Sequence, residues 1–205
     1  MKHEWKKDEK EYYSAKKTPA LRNIPSQNFI MISGKGNPND ADFSERVSAL
    51  YSLAYAVKMR YKALAGSNEI NDFSVYPLEG IWQQKADAEL IKENLEYTIM
   101  IRQPDFITEA MVTAALEQVK QKKPNPLYPE IQFGAMEDGT CIEILHIGSY
   151  DEEPASFQKI DDFAKESGLT RTMDCHREIY LNNAARTETS KLKTILRCCV
   201  TPSPI

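Results

Sequence analysis

Several common signatures are missing from this chain of 205 residues, and each absence narrows what it can be. No apolar run approaches the roughly 18–20 residues that cross a bilayer, so no membrane span is expected. The N-terminus, Met1-Lys2-His3-Glu4-Trp5-Lys6-Lys7-Asp8, has no apolar core of the kind a signal peptide carries. The expected location is therefore cytoplasmic. A basic face is missing too: 26 Lys and Arg stand against 30 Asp and Glu, for a net charge of −4. Affinity for nucleic acid rests on clustered Lys and Arg, so direct nucleic-acid binding is not expected. Lys2, Lys6, Lys7, Lys10, Lys16 and Lys17 alternate with Glu4, Asp8, Glu9 and Glu11, and read as a solvated helix face.

Cysteine and histidine are sparse. Cys141, Cys175, Cys198 and Cys199 form no C-x-x-C pair and read as free thiols in a reducing compartment. Cys175-His176 has only His3 and His146 as further histidines, without ligand spacing, so no metal is expected. Neither G-x-S-x-G nor H-E-x-x-H occurs, which argues against a serine or zinc hydrolase. Gly34-x-Gly36 is not continued by a phosphate-loop pattern and reads as a turn.

What is present is ordinary globular material, 41% hydrophobic and 27% charged, enough for one domain with a real core. Residues 1–26 read as a lead-in broken by Pro19 and Pro25. Phe29-Ile30-Met31-Ile32 is a buried strand by length and composition. Phe43, Val47, Leu50, Ala54, Val57, Tyr61 and Leu64 recur at helical spacing behind an Asp42/Glu45 capping pattern. Strands follow over about 73–82 and 95–102, then a helix over 108–121. Pro124, Pro126 and Pro129 mark a linker over 123–129. A hairpin is expected over 130–147 with its turn at Asp138-Gly139. A helix starting near Pro154 and strands over about 175–181 and 192–200 complete an α+β chain. Two halves, about 27–122 and 130–205, share the order strand, turn, helix, strand, strand.

Period-two alternation places His176, Glu178 and Tyr180 on one face of a strand, and Arg177, Ile179 and Leu181 on the other. Ile179 and Leu181 suit a helix-covered core, which leaves Glu178 on the open side. A carboxylate between an imidazole and a phenol serves as general base, acceptor or counter-ion; spacing alone leaves a surface acid as the alternative. Tyr55, Trp82, Tyr128 and Tyr150 are candidates to line an apolar cavity, with packing as their alternative.

The stretches Ile32-Ser33-Gly34-Lys35-Gly36-Asn37-Pro38-Asn39, Pro77-Leu78-Glu79-Gly80-Ile81-Trp82, His146-Ile147-Gly148-Ser149-Tyr150 and Glu178-Ile179-Tyr180-Leu181, in that order, resemble the GyrI-like small-molecule-binding family. The likeness is to its stand-alone members and runs from about residue 5 to 200. It implies two tandem pseudo-symmetric strand-helix-strand-strand (SHS2-type) units with antiparallel sheets and a ligand cleft between them. It also implies a flat aromatic or cationic ligand contacted by Glu178. Some members hydrolyse the strained cyclopropane of yatakemycin-type alkylating antibiotics without a cofactor, others only bind ligands, and the namesake inhibits DNA gyrase. For the hydrolase reading, Glu178 and Tyr150 are the candidate catalytic residues. Tyr55, Trp82, Tyr128, His176 and Tyr180 are the candidate ligand contacts. A ligand-binding sensor and a gyrase-blocking partner are the competing expectations.

Overall fold

A computed structural model describes residues 1–83, 92–172 and 174–203. In chain order the main elements are β1 (Lys2–His3), α1 (Trp5–Asp8), β2 (Ala20–Ile24), β3 (Gln27–Lys35) and α2 (Ala41–Leu64). Then come β4 (Asp72–Phe73), β5 (Leu78–Gln83), β6 (Glu96–Gln103) and α3 (Glu109–Lys122). The second half holds β7 (Gln132–Met136), β8 (Gly139–Ile147), α4 (Glu153–Glu166), β9 (Leu169–Arg171), β10 (Cys175–Tyr180) and β11 (Lys193–Pro202). Among the described residues no helix is long and apolar enough to cross a membrane.

Local rules account for most of these elements. The long helix α2 forms where apolar residues recur every three or four positions, and it buries Leu50, Leu53, Ala54 and Val57. Asp42 does not cap it as expected; its carboxylate instead accepts from Arg46 Nε at 2.8 Å, one turn on. Helix α3 opens on Thr108, whose side chain accepts the Met111 amide. The strand expected over 73–82 is broken by Pro77, which cannot donate to a ladder, into β4 and β5.

The strand order is β2-β8-β11-β10-β5-β6-β3-β7, with β9 beside β11. Every neighbouring pair along it is antiparallel. The two ends of this path belong together. Only Pro25 and Ser26 separate β2 from β3, and only Glu137 and Asp138 separate β7 from β8. Across both breaks the register continues, with Ile24 opposite Gly139 and Gln27 opposite Met136. Residues 20–35 and 132–147 therefore act as two long bent strands, and the sheet returns on itself as a ring. The two halves thus share one continuous sheet where the sequence suggested a sheet for each.

This closure corrects the hairpin expected over 130–147. Asp138-Gly139 is a corner within one strand, β7 pairing with β3 and β8 with β2. Gly139 takes a left-handed φ of +60°, which eases the bend. The supposed lead-in is likewise part of the fold. Residues 20–24 form a strand, and Trp5 and Tyr13 are buried in the core.

Alternation along a closed sheet gives an outer face and an inner one. On the outer face Ile30, Ile32, Ile99 and Ile101 share a core with the buried side of α2. Ile142, Ile144, Leu196 and Cys198 lie under Ile160 and Ala164 of α4. Each fully buried Ile or Leu among them contributes roughly 1.5–3 kcal/mol. The inner face carries Phe29, Glu79, Met100, Glu143, Arg177 and Arg197, all buried, and Tyr13 of the N-terminal segment closes over it.

Candidate functional site

The halves meet where β5 pairs with β10, and Gly80 stands directly opposite Glu178. Strand β10 carries charge on both faces. Toward the inside, Arg177 donates to Glu79 at 3.0 Å and to Asp138 at 2.7 Å. Arg197 donates to the other Asp138 oxygen at 3.1 Å and to Glu143 at 3.2 Å, and Arg22 reaches Glu143 at 2.9 Å. Tyr13 donates to Glu79 at 3.1 Å, and the Arg177 guanidinium lies 5.2 Å from the Phe29 ring centre. Three guanidinium groups face three carboxylates. Compensated charge of this kind holds structure.

His176, Glu178 and Tyr180 point the other way, though not to an open face as expected. They lie on the helix-bearing outer face, because closure of the ring encloses the opposite side. Phe157 of α4 stands edge-on to His176 with ring centres 4.6 Å apart, and Phe43 of α2 stacks on Trp82 at 5.8 Å. Glu178 therefore lies over the β5–β10 junction, between α2 and α4, and is 7% exposed. Arg177, on the opposite face, is 4% exposed within the inner ion network.

Gly80, opposite Glu178, makes room for the side chains around it. A Cβ there would stand 2.8 Å from Trp82 Nε1 and 3.4 Å from the Tyr180 hydroxyl. Without one, the indole lies across the strand and donates to the Tyr180 oxygen at 2.8 Å. Burial, and then the Glu178 charge beside it, push the Tyr180 phenol well above its usual range. On the other side of Glu178, His176 Nε2 approaches its Oε1 at 2.8 Å.

A second carboxyl completes the cluster. Glu153, the first residue of α4, is 6% exposed, and its Oε1 is buried with no donor beside it. Burial, and then the neighbouring Glu178 carboxylate, push its pKa up to about 9. Both causes favour the protonated form of Glu153 beside Glu178. Tyr150, just ahead of α4, meets Tyr180 edge-on at 6.0 Å, and burial followed by the Glu178 charge pushes its phenol up to about 12. The arrangement can take a proton at Glu178 and give one from Glu153 or a phenol.

The profile of the GyrI-like small molecule binding domain matches residues 17–197. The chain belongs to the GyrI-like family. A hydrolase from Listeria innocua is 32% identical over 98% of this chain and 100% of its own, with a TM-score of 0.89. A conserved Listeria innocua protein is equally identical, 32%, over 97% of this chain and 100% of its own, with a TM-score of 0.90. The C-terminal domain of EcmrR shares the fold at 16% identity and a TM-score of 0.55, over 90% of this chain and 98% of its own. No curated protein matches.

Within this GyrI-like chain, the structure brings Glu178, His176, Tyr180, Tyr150 and Trp82 together. Trp82 is only 7% exposed, packed between Phe43 and Tyr97, so it orients Tyr180 rather than offering an open stacking surface. Tyr55 is 54% exposed on α2; Tyr51, one turn earlier, lies against the Leu78 backbone of β5. Tyr128 is wholly buried in the larger core and packs there. Glu153 escaped the reading of the sequence. Its signal was available: Tyr150 and Glu153 are three residues apart at a helix start, spacing that puts both on one side.

Proposed function

We propose that this chain binds a flat, hydrophobic or cationic organic molecule in a furrow over the β5–β10 junction, between α2 and α4, and hydrolyses it without a cofactor. The substrate class is a strained cyclopropane conjugated to a carbonyl, as in the spirocyclopropyl alkylators, and the outcome is detoxification. The observation that carries this reading is the pair of buried acids, Glu153 and Glu178, with Tyr150 and Tyr180 meeting edge-on beside them; burial and the Glu178 charge raise the Glu153 pKa. Similarity to a Listeria innocua hydrolase along essentially the whole chain supports it.

In the proposed reaction, Glu178 accepts a proton from water as the water oxygen bonds to a cyclopropane carbon. The ring C–C bond breaks, and its electron pair flows into the conjugated carbonyl, whose oxygen becomes a phenolate. Glu153, or Tyr150 beside it, donates the proton that neutralises that oxygen. The water hydroxyl thereby ends on the opened ring carbon and a proton on the former carbonyl oxygen. Whichever group donates, Glu178 has gained one proton and the donor has lost one, and return of that proton from Glu178 to Glu153 or to the Tyr150 phenolate restores the starting state.

A sequestering role for the same furrow is favoured by one observation: Glu178 and Glu153 are only 7% and 6% exposed, which leaves little room for an attacking water. A single experiment separates the two. The protein is incubated with a cyclopropane-bearing alkylator, and the ring-opened, hydrated product is sought by mass spectrometry. Catalysis is expected, with a loss of about 10²–10⁴-fold in Glu178→Gln. Undiminished turnover in that variant sinks the general-base role. Stoichiometric capture without product favours sequestration.

A further inference from the structure

The stretch His146-Ile147-Gly148-Ser149-Tyr150 ends β8 and turns into α4. His146 is 5% exposed, and both its ring nitrogens are engaged. Nε2 lies 2.9 Å from the Ser149 carbonyl oxygen, which can only accept, so Nε2 is the donor. Nδ1 meets the Ser156 hydroxyl of α4 at 2.9 Å. One imidazole thus ties the strand to the turn after it and to the first helical turn beyond.

Two further constraints act on the same residues. The Ser149 amide and hydroxyl both donate to Glu152 Oε2, at 3.0 and 2.9 Å. Gly148 has φ +135°, and a Cβ there would stand 2.6 Å from that Glu152 oxygen. A side chain at Gly148 is therefore opposed by both backbone conformation and space. What the turn delivers is Tyr150, beside Tyr180, and Glu153, beside Glu178.

We infer that His146 is a positioning residue that, with Gly148, aims Tyr150 and Glu153 into the furrow and thereby sets the proton-donor side of the site. It touches neither substrate nor reacting atoms; it acts through the turn. The inference rests on the proposed hydrolysis for its effect on rate, and on geometry alone for its effect on Glu153. A side chain that packs but cannot bond leaves the turn free to shift, and a misplacement of about 1 Å costs on the order of 10²-fold in rate.

The test uses the full chain with His146→Leu, and with His146→Gln, which retains a donor able to reach the Ser149 carbonyl. Carboxyl titration by ¹³C NMR reports Glu153 without substrate, and turnover of the cyclopropane probe is measured in parallel. In His146→Leu the Glu153 midpoint is expected to fall from about 9 towards the ordinary carboxylate range. The rate constant kcat is expected to drop on the order of 10²-fold with KM little changed, and His146→Gln to recover part of both. A folded His146→Leu with the wild-type Glu153 midpoint overturns the inference. Should that variant fail to fold, Gly148→Ala disturbs the turn from its other side, and an unmoved midpoint there overturns it equally. A wild-type chain without turnover defeats the hydrolase reading by itself, while the titration still decides whether the turn is held by His146.

Discussion

The two faces of β10 hold charge in opposite ways. Inside the ring, Arg177 is enclosed with Glu79 and Asp138, and Arg197 with Asp138 and Glu143. Outside, Glu178 has a second acid, Glu153, as its neighbour and one imidazole for support. Both sets are buried, so burial alone does not separate structure from function. Compensation does. A balanced network lowers the cost of enclosing charge, whereas two acids packed together shift a pKa and leave a proton available for chemistry.

Breaking the balanced side should have the larger effect on stability. Asp138→Asn removes the carboxylate that both Arg177 and Arg197 share, and about 3–5 kcal/mol of stability should go with it in denaturant unfolding. A neutral outcome would erase the contrast, because the inner charges would then need no partner.

The unbalanced side should respond to pH in the reverse sense. The pKa of Glu153 rises from an ordinary 4.5 to about 9 on folding, so the folded chain holds a proton that the unfolded chain has lost. Stability contributed by that proton is complete below pH 4.5 and is lost as pH rises towards 9. The slope is at most about 1.4 kcal/mol per pH unit. Glu153→Gln, neutral at every pH, should flatten this slope and raise Tm at pH 8. A variant with the wild-type slope would mean that the proton lies elsewhere.

The smallest effect is expected at Tyr180→Phe. It deprives the buried Trp82 N–H of its acceptor and should cost about 1–3 kcal/mol in thermal or denaturant unfolding. A cost near zero would show that the indole is held by its packing between Phe43 and Tyr97 and not by that bond.

Much of this was legible in the residues. The 3.6-residue spacing of Leu50, Ala54 and Val57 marks α2, and the alternation of Tyr97, Ile99 and Ile101 marks β6 and its outer face. Alternation also groups His176, Glu178 and Tyr180. It does not say which side helices cover, and here both sides are enclosed. Arg177 broke the apolar pattern of its face, and that irregularity was the trace of the inner ion network. The Asp138-Gly139 pair carries the same local signal whether it closes a hairpin or bends one long strand. What decides is the competing ladder from residues 20–35, more than a hundred positions away in sequence.

Glu178 thus shows where the division lies. The amino-acid sequence by itself determined that this carboxylate shares a strand face with an imidazole and a phenol, because side-chain alternation is a property of neighbouring residues. Only the tertiary structure decided that helices flank this face and that Glu153 stands beside Glu178, where burial and the neighbouring charge raise its pKa. Ring closure and the approach of α4 join residues far apart in the chain, and no local pattern encodes that meeting.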